Sequence, residues 1–195
     1  MPCIAPRRVG DNVDVALHPS IDLDGERVRL RSTTPDDAAA LHTILCTPGV
    51  ARWWPNVTLE ECEEIVARDD VEAFVIEFDG EPIGVIQYSE ERDPDYEHAG
   101  IDIAIHDEWQ GRGLGTDAVR TLARHLVHDR GIHRLTIDPA AANDRAIRCY
   151  EKVGFRPVGV MRDYERGGDG TWHDGLLMDL LPGDLTEAEP GPRGE

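Results

Sequence analysis

At 195 residues the chain has room for one domain with a full hydrophobic core and no clear room for a second. Asp and Glu number 39 against 20 Lys and Arg, a net charge of −19, which argues against nucleic acid and for a small cationic partner. No stretch reaches membrane-span length, and no apolar secretory segment follows Met1-Pro2-Cys3. The four cysteines (Cys3, Cys46, Cys62, Cys149) show neither a C-x-x-C pair nor zinc spacing. The expectation is a reduced cytoplasmic protein with no metal site and no membrane contact; monomer and homodimer both stay open.

Residues 1–25 show no period and read as an irregular arm, followed by a domain over 26–181. Arg27-Val28-Arg29-Leu30-Arg31 alternates as a first strand. Thr34-Pro35-Asp36-Asp37 starts a helix that runs to about Cys46 and stops before Pro48-Gly49. Thr58 and Glu61 form a capping box for a second helix, from Leu59 to about Asp69. The loop between them holds Trp53-Trp54-Pro55. Phe74–Phe78 and Pro82–Tyr88 are strands joined by Asp79-Gly80, a hairpin signal. An acid-rich connection, Ser89–Glu97, leads to a strand at Gly100–His106. A helix of about fifteen residues then carries an apolar stripe: Leu114, Ala118, Leu122 and Leu126. His133–Asp138 is a short strand, Asn143–Val153 a helix ended by Gly154, and Phe155–Met161 and Leu176–Leu180 the closing strands. Residues 182–195, rich in proline and glycine, read as a disordered tail.

Between the Gly100–His106 strand and its helix lies Gln110-Gly111-Arg112-Gly113-Leu114-Gly115-Thr116. Three alternate glycines expose bare N–H groups at a helix N-terminus, a setting that suits a pyrophosphate. The P-loop is excluded because no lysine precedes Thr116. The dinucleotide fingerprint is excluded because one residue, not two, separates the last two glycines. The charge is also segregated. Residues 60–108 hold 18 acidic and two basic side chains, whereas residues 109–162 hold ten basic and five acidic. A solubilising surface accounts for acidic runs in general, but less readily for such a division.

The Q-x-x-G-x-G loop resembles the acyl-CoA pyrophosphate loop of the GNAT superfamily of N-acetyltransferases. A second segment, Asn143-Asp144-Arg145-Ala146-Ile147-Arg148-Cys149-Tyr150-Glu151-Lys152-Val153-Gly154-Phe155, carries that superfamily's N-x-x-A-I-x-x-Y-x-K-x-G-F pattern. With Asp138-Pro139 ahead of it, Trp53-Trp54, Gly80-Glu81-Pro82-Ile83-Gly84 and Gly100-Ile101-Asp102, it is similar to the aminoglycoside 6′-N-acetyltransferases over roughly residues 27–162. The resemblance implies an α/β (α+β) GNAT fold, with a mixed sheet of about seven strands, a splayed strand pair for acyl-CoA, and helices on both faces. It implies acetyl-CoA as cofactor, held by Ile103, Ala104, Ile105, Gln110, Gly111, Arg112, Gly113, Leu114, Gly115, Thr116, Asn143 and Ala146. It makes Tyr150 the general acid and Asp102 the base or the anchor of the attacking amine. Asp138, Asp93, Asp95, Tyr96, Trp53 and Trp54 become acceptor contacts, and the acceptor a cationic amine, foremost an aminoglycoside.

Other readings stand beside these. Tyr150 also fits a core ring, Asp102 an exposed strand residue, Asp138 a turn cap and the tryptophans core packing. A siderophore-precursor (lysine-type) or protein N-terminal acyltransferase shares much of the layout, and an acyl-CoA-sensing module is the non-enzymatic alternative. Cys149 has no histidine placed to act as its base, which argues against a cysteine nucleophile.

Overall fold

The computed structural model describes residues 21–68 and 71–186. Among the described residues eight strands form one sheet: β1 (Asp22–Asp24), β2 (Arg29–Ser32), β3 (Val71–Phe78), β4 (Glu81–Glu91), β5 (His98–Ile105), β6 (Leu135–Ile137), β7 (Arg156–Arg166) and β8 (Trp172–Leu180). Their spatial order is β1-β2-β3-β4-β5-β6-β8-β7, and β5 with β6 is the parallel pair. The helices are α1 (Ala38–Leu45), α2 (Pro48–Ala51), α3 (Leu59–Ala67), α4 (Leu114–Arg124) and α5 (Asp144–Glu151); α4 continues as a π-helical turn over His125–Asp129.

β3 and β4 are buried on both faces, which is why they read as apolar runs. On one face Leu41, Ile44 and Leu45 of α1, Val50 of α2, and Cys62 and Ile65 of α3 close over Ala73, Val85 and Ala104. On the other, Leu114, Ala118, Leu122 and Leu126 pack on Phe74, Ile76, Ile86 and Ile101. Local chemistry sets the boundaries. Thr58 Oγ1 accepts from the Glu61 amide at 3.2 Å while Glu61 Oε2 accepts from the Thr58 amide at 2.7 Å, the reciprocal cap of α3. Asp79 (φ 52°) and Gly80 (φ 80°) make the two-residue β3–β4 turn, both in the left-handed region such a turn requires.

Several elements differ from the sequence reading. The arm expected to be irregular through residue 25 ends in β1, which pairs with β2 and makes eight strands instead of seven. Residues 1–20 lie outside the described set, as do 187–195 of the expected disordered tail. The start of that tail is ordered: Pro182–Asp184 form a turn, Leu185 packs against the core, and the Thr186 amide donates to the Val153 carbonyl at 2.9 Å. α2 occupies part of a stretch read as loop. β7 and β8 run five and four residues beyond their expected ends, into a long hairpin.

β1 is held from the far side of the molecule. The Asp117 carboxylate, in the first turn of α4, is buried and accepts three backbone amides of the β1–β2 turn: Glu26 at 3.2 Å, Arg27 at 2.8 Å and Val28 at 3.0 Å. Arg27 Nη1 returns a 2.6 Å bond to the Arg112 carbonyl, in the loop before α4. Asp117→Ala strands these amides, and unfolding in urea should show a loss of about 2–4 kcal/mol. A loss under about 0.5 kcal/mol would show the clamp to be dispensable.

The sheet opens between β5 and β6. β5 pairs with β4 from His98 to Ile105, but with β6 at Ala99 and Gly100 alone. After Ile137 the chain follows β8: Leu176 N–H donates to the Pro139 carbonyl and Ala141 N–H to the Asp174 carbonyl, each at 2.8 Å. Pro139 has no N–H to offer β5. The result is a fork that leaves residues 101–105 with a strand on one side only.

Candidate active site

The fork opens into a cleft of about 300 Å³. It is lined by Ile101–Ile105 of β5, the loop before α4, one face of α5, Trp53 and Trp54, and Tyr164 and Glu165 of β7. Gly111 (φ 75°) and Gly113 (φ 83°) adopt the left-handed conformation that turns the chain into α4. Gly113 is the N-cap and has no side chain to satisfy the first helical amides. Among the described residues no acceptor is found for the Leu114, Gly115 and Thr116 N–H groups, and a Cβ on Gly111 would meet open space. The loop therefore offers unsatisfied donors and the positive end of a helix dipole to an anion.

The other expected loop residues take more specific places. The Gln110 side-chain amide donates to the Ile105 carbonyl at 2.6 Å, pinning the loop to the end of β5. Arg112 turns away from the cleft and lays its guanidinium 4.8 Å from the Trp109 ring centre. Leu114 is fully buried in the core and does not line the cleft, where Gly113, Gly115 and Thr116 stand instead. Positive charge at the cleft comes instead from Arg145 and Arg148 of α5 and from Lys152 at its C-cap. Their three- and four-residue spacing puts them on one helical face, and that periodicity was present in the sequence. Asn143 and Ala146 line the cleft as expected, yet Asn143 Oδ1 is engaged in capping α5 through the Ala146 amide at 3.2 Å. Thr116 Oγ1 lies 3.2 Å from Cys149 Sγ and joins α4 to α5; burial pushes that thiol up, so it stays a thiol.

Deeper in the fork, Asp102, Asp138 and Tyr150 come together. Tyr150 is 7% exposed, and among the described residues its hydroxyl makes no hydrogen bond. Burial holds it protonated well above the usual phenol range, and the negative charges of Asp102 and Asp138 reinforce this. The Asp102 carboxyl is pushed up to about 6, by burial first and by Asp138 second; Gln87 Nε2, a long 3.4 Å contact, works the other way. Asp138 is also raised by burial, against a hydrogen bond from the Tyr164 hydroxyl that favours its ionised form. These are groups of opposed protonation in one site.

Two further walls complete the cleft. Trp53 and Trp54 line it, Trp53 under the Arg52 guanidinium at 4.7 Å and Trp54 packed partly on the α1–α3 cluster. Asp107 Oδ2 accepts from the Gly49 amide at 2.8 Å and Oδ1 from Thr47 Oγ1 at 3.2 Å, so the segment leading to the tryptophans is tied to the anion loop. Opposite, the register of β7 slips between Met161 and Glu165, where Asp163 takes φ 47°; this bulge accompanies the turn of Tyr164 and Glu165 into the cleft. Neither residue was anticipated from the sequence. Asp93, Asp95 and Tyr96 are not among the lining residues. β4 and β5 extend past their expected ends and carry the Arg92–Glu97 turn away from the fork, leaving Tyr96 73% exposed.

The acetyltransferase (GNAT) domain model matches residues 27–156, two thirds of the chain. This chain belongs to the GNAT acetyltransferase family. Over 157 residues it is 34% identical to the aminoglycoside N(6′)-acetyltransferase type 1 of Klebsiella pneumoniae, spanning 70% of this chain and 77% of that one. The spermidine N(1)-acetyltransferase of Escherichia coli K12 is 27% identical over 141 residues, covering 69% of this chain and 75% of the other. Among solved structures, AAC(6′)-Ib in complex with paromomycin and acetyl-CoA superposes with a TM-score of 0.67 at 30% identity, covering 82% of this chain and 96% of that one. The GNAT enzyme is thus an acetyl-CoA-dependent N-acetyltransferase. Among the described residues no helix is long and apolar enough to cross a membrane.

The cleft suits that cofactor. Free amides at the start of α4 and the α5 cations answer a polyphosphate, and the one-sided β5 edge answers an amide-bearing arm that adds as a strand. Gly113→Asp would put a carboxylate and a strained left-handed backbone at the first of these. Calorimetry should show acetyl-CoA affinity reduced at least about tenfold with the fold retained. Unchanged affinity would remove the loop from the cofactor site.

Proposed function

We propose that this GNAT enzyme acetylates a primary amine of a polycationic small molecule, most specifically the 6′-amine of an aminoglycoside. The observation that carries the reading is the convergence of Asp102, Asp138 and Tyr150 at the fork between β5 and β6. The relatives named for aminoglycosides and for spermidine support it, since both acceptors carry several amines.

Acetyl-CoA supplies the activated acyl group as a thioester. The remaining work falls to the chain. The Gly115 and Thr116 amides, with Arg145, Arg148 and Lys152, hold the phosphates, and the free edge of Ile103–Ile105 orients the arm. Asp102, ionised at neutral pH with its carboxyl near 6, draws the acceptor ammonium into the fork and takes its proton. Asp138, steadied by Tyr164, holds a second positive centre. Tyr150 keeps its proton because burial and two carboxylates oppose ionisation, so it can give that proton to the departing sulfur and recover one from the newly acylated nitrogen. Transfer is direct, and Cys149, bonded to Thr116 and raised by burial, takes no part as nucleophile.

Tyr150→Phe keeps the ring and deletes the proton, and should cut kcat about 10²–10⁴-fold with little change in KM. A variant within about twofold of the parent would return Tyr150 to a packing role. Kinetics with kanamycin, a lysine hydroxamate and an N-terminal peptide as competing acceptors test the substrate class. Kanamycin should dominate, with a KM that rises with salt; preferred turnover of the lysine compound at a salt-insensitive KM would overturn the aminoglycoside reading.

Asp102 also gives a pH prediction. Its folded carboxyl, near 6, binds a proton more tightly than the unfolded one, whose pKa is about 3.9. Ionisation therefore costs stability, fully above about pH 6 and progressively less as the pH falls toward 4. Asp102→Asn should raise Tm at neutral pH, lose that advantage near pH 4, and lower kcat/KM throughout. An Asn variant less stable than the parent at neutral pH would contradict the burial argument.

A further inference from the structure

Glu165 is a third carboxylate in the cleft, and neither the cofactor nor the proton transfers above require it. It lies on β7 just past the Asp163 bulge, and burial and the charge of Asp138 both raise it. Among the described residues, Asp102, Asp138 and Glu165 take part in no ion pair with a basic side chain. Three carboxylates sharing one partly enclosed cleft repel one another and are stabilised by a ligand that brings several positive charges. Tyr150, 7% exposed as a residue, lines the same cleft, and among the described residues its hydroxyl makes no hydrogen bond, as expected where a ligand completes the site.

The hairpin bearing Glu165 is positioned at two points near its tip. Just before the tip Tyr164 bonds Asp138. At its tip Gly168 sits so close to Pro55 that a Cβ there would lie 2.9 Å from the Pro55 Cβ. The tip is braced by Asp169, whose carboxylate accepts the Thr171 amide at 2.9 Å and approaches His173 Nε2 at 3.1 Å. The wall with Glu165 and the wall with Trp53 and Trp54 therefore meet, and the strand carrying Glu165 is tied to Asp138 through the neighbouring Tyr164.

We propose that Glu165 is a specificity-determining residue that binds a second, non-reacting ammonium of the acceptor and so selects polyamines over monoamines. This rests on the acceptor class proposed above and adds the residue that enforces it. The reacting amine goes to Asp102, and the spacing between that amine and the next becomes the property that the β7–β8 hairpin measures.

The test is steady-state kinetics of the parent, Glu165→Gln and Glu165→Asp at saturating acetyl-CoA. The acceptors are kanamycin, spermidine and 6-amino-6-deoxyglucose, a sugar with one amine. Glu165→Gln should raise the kanamycin KM about tenfold, the scale of one lost charge-assisted contact. It should leave kcat, the acetyl-CoA KM and the KM for the monoamine sugar within about twofold, and Glu165→Asp should recover part of the loss. An equal rise for the monoamine, or a kanamycin KM within twofold of the parent, overturns the role of Glu165. A parent that acetylates spermidine but not kanamycin overturns the aminoglycoside reading while the role of Glu165 is decided on spermidine. A parent that acetylates neither overturns both.

Discussion

The parting of β5 from β6 is the constraint on which the rest of the molecule turns. Two parallel strands that paired along their full lengths would close the sheet and leave no cleft. Here the pairing stops after Ala99 and Gly100, and the chain beyond Ile137 enters Asp138-Pro139 and turns to β8, through the Pro139 carbonyl and the Ala141 N–H. One imino acid and a handful of hydrogen bonds thereby open the fork. Asp102 lies on one prong and Asp138 at the tip of the other, and α4 and α5 close beneath them. The chemistry proposed for Asp102, Asp138 and Tyr150 would thus fall where regular structure fails, in keeping with ligand sites at points where a sheet divides.

Charge is distributed along the same line. The basic face of α5 and the amide-lined start of α4 lie on the cofactor side, and the carboxylates of β5, Asp138 and β7 occupy the fork. Of the acids in residues 60–108 only Asp102 lines the cleft, while Asp138 and Glu165 come from later in the chain, so the division in space is made by the fold and not by the acidic run in the sequence. Burial sharpens it, because in a low-dielectric cleft each unpaired charge acts on its neighbours more strongly than in water. Asp102 and Tyr150 are shifted by burial first and by neighbouring charge second, one raised toward neutrality and the other kept protonated.

How much of this was legible depended on the range of the forces involved. The glycine loop, the capped helices and the Asp79-Gly80 turn are written in contiguous residues, and the structure has them where the sequence placed them. Asp102, Asp138 and Tyr150 could be named because short motifs carry them, and the fold brings the three together. β1 escaped because three residues, Asp22–Asp24, become a strand through pairing and a carboxylate ninety positions away. Tyr164 and Glu165 escaped because a bulge breaks the alternation that would have revealed their direction. Asp93, Asp95 and Tyr96 misled for a related reason: strand length, set by pairing with partners, decides where a connecting turn ends up. Gln110 and Leu114 fell within a correctly located motif, yet the structure employs one as a brace and the other as core.

The β7 bulge has a second consequence, at the rim of the sheet. β7 is an outermost strand and shows solvent the apolar side chains of Val158 and Val160. Such an edge is a template for pairing with another chain. Here Pro157 removes a donor, the ladder slips twice, and Arg162, Asp163 and Arg166 interrupt the hydrophobic pattern. At the opposite rim, β1 is three residues long and carries two aspartates. Neither border offers a long flat ladder to a neighbour, so the irregularity that aims a side chain inward also discourages sheet-to-sheet aggregation when the protein is concentrated.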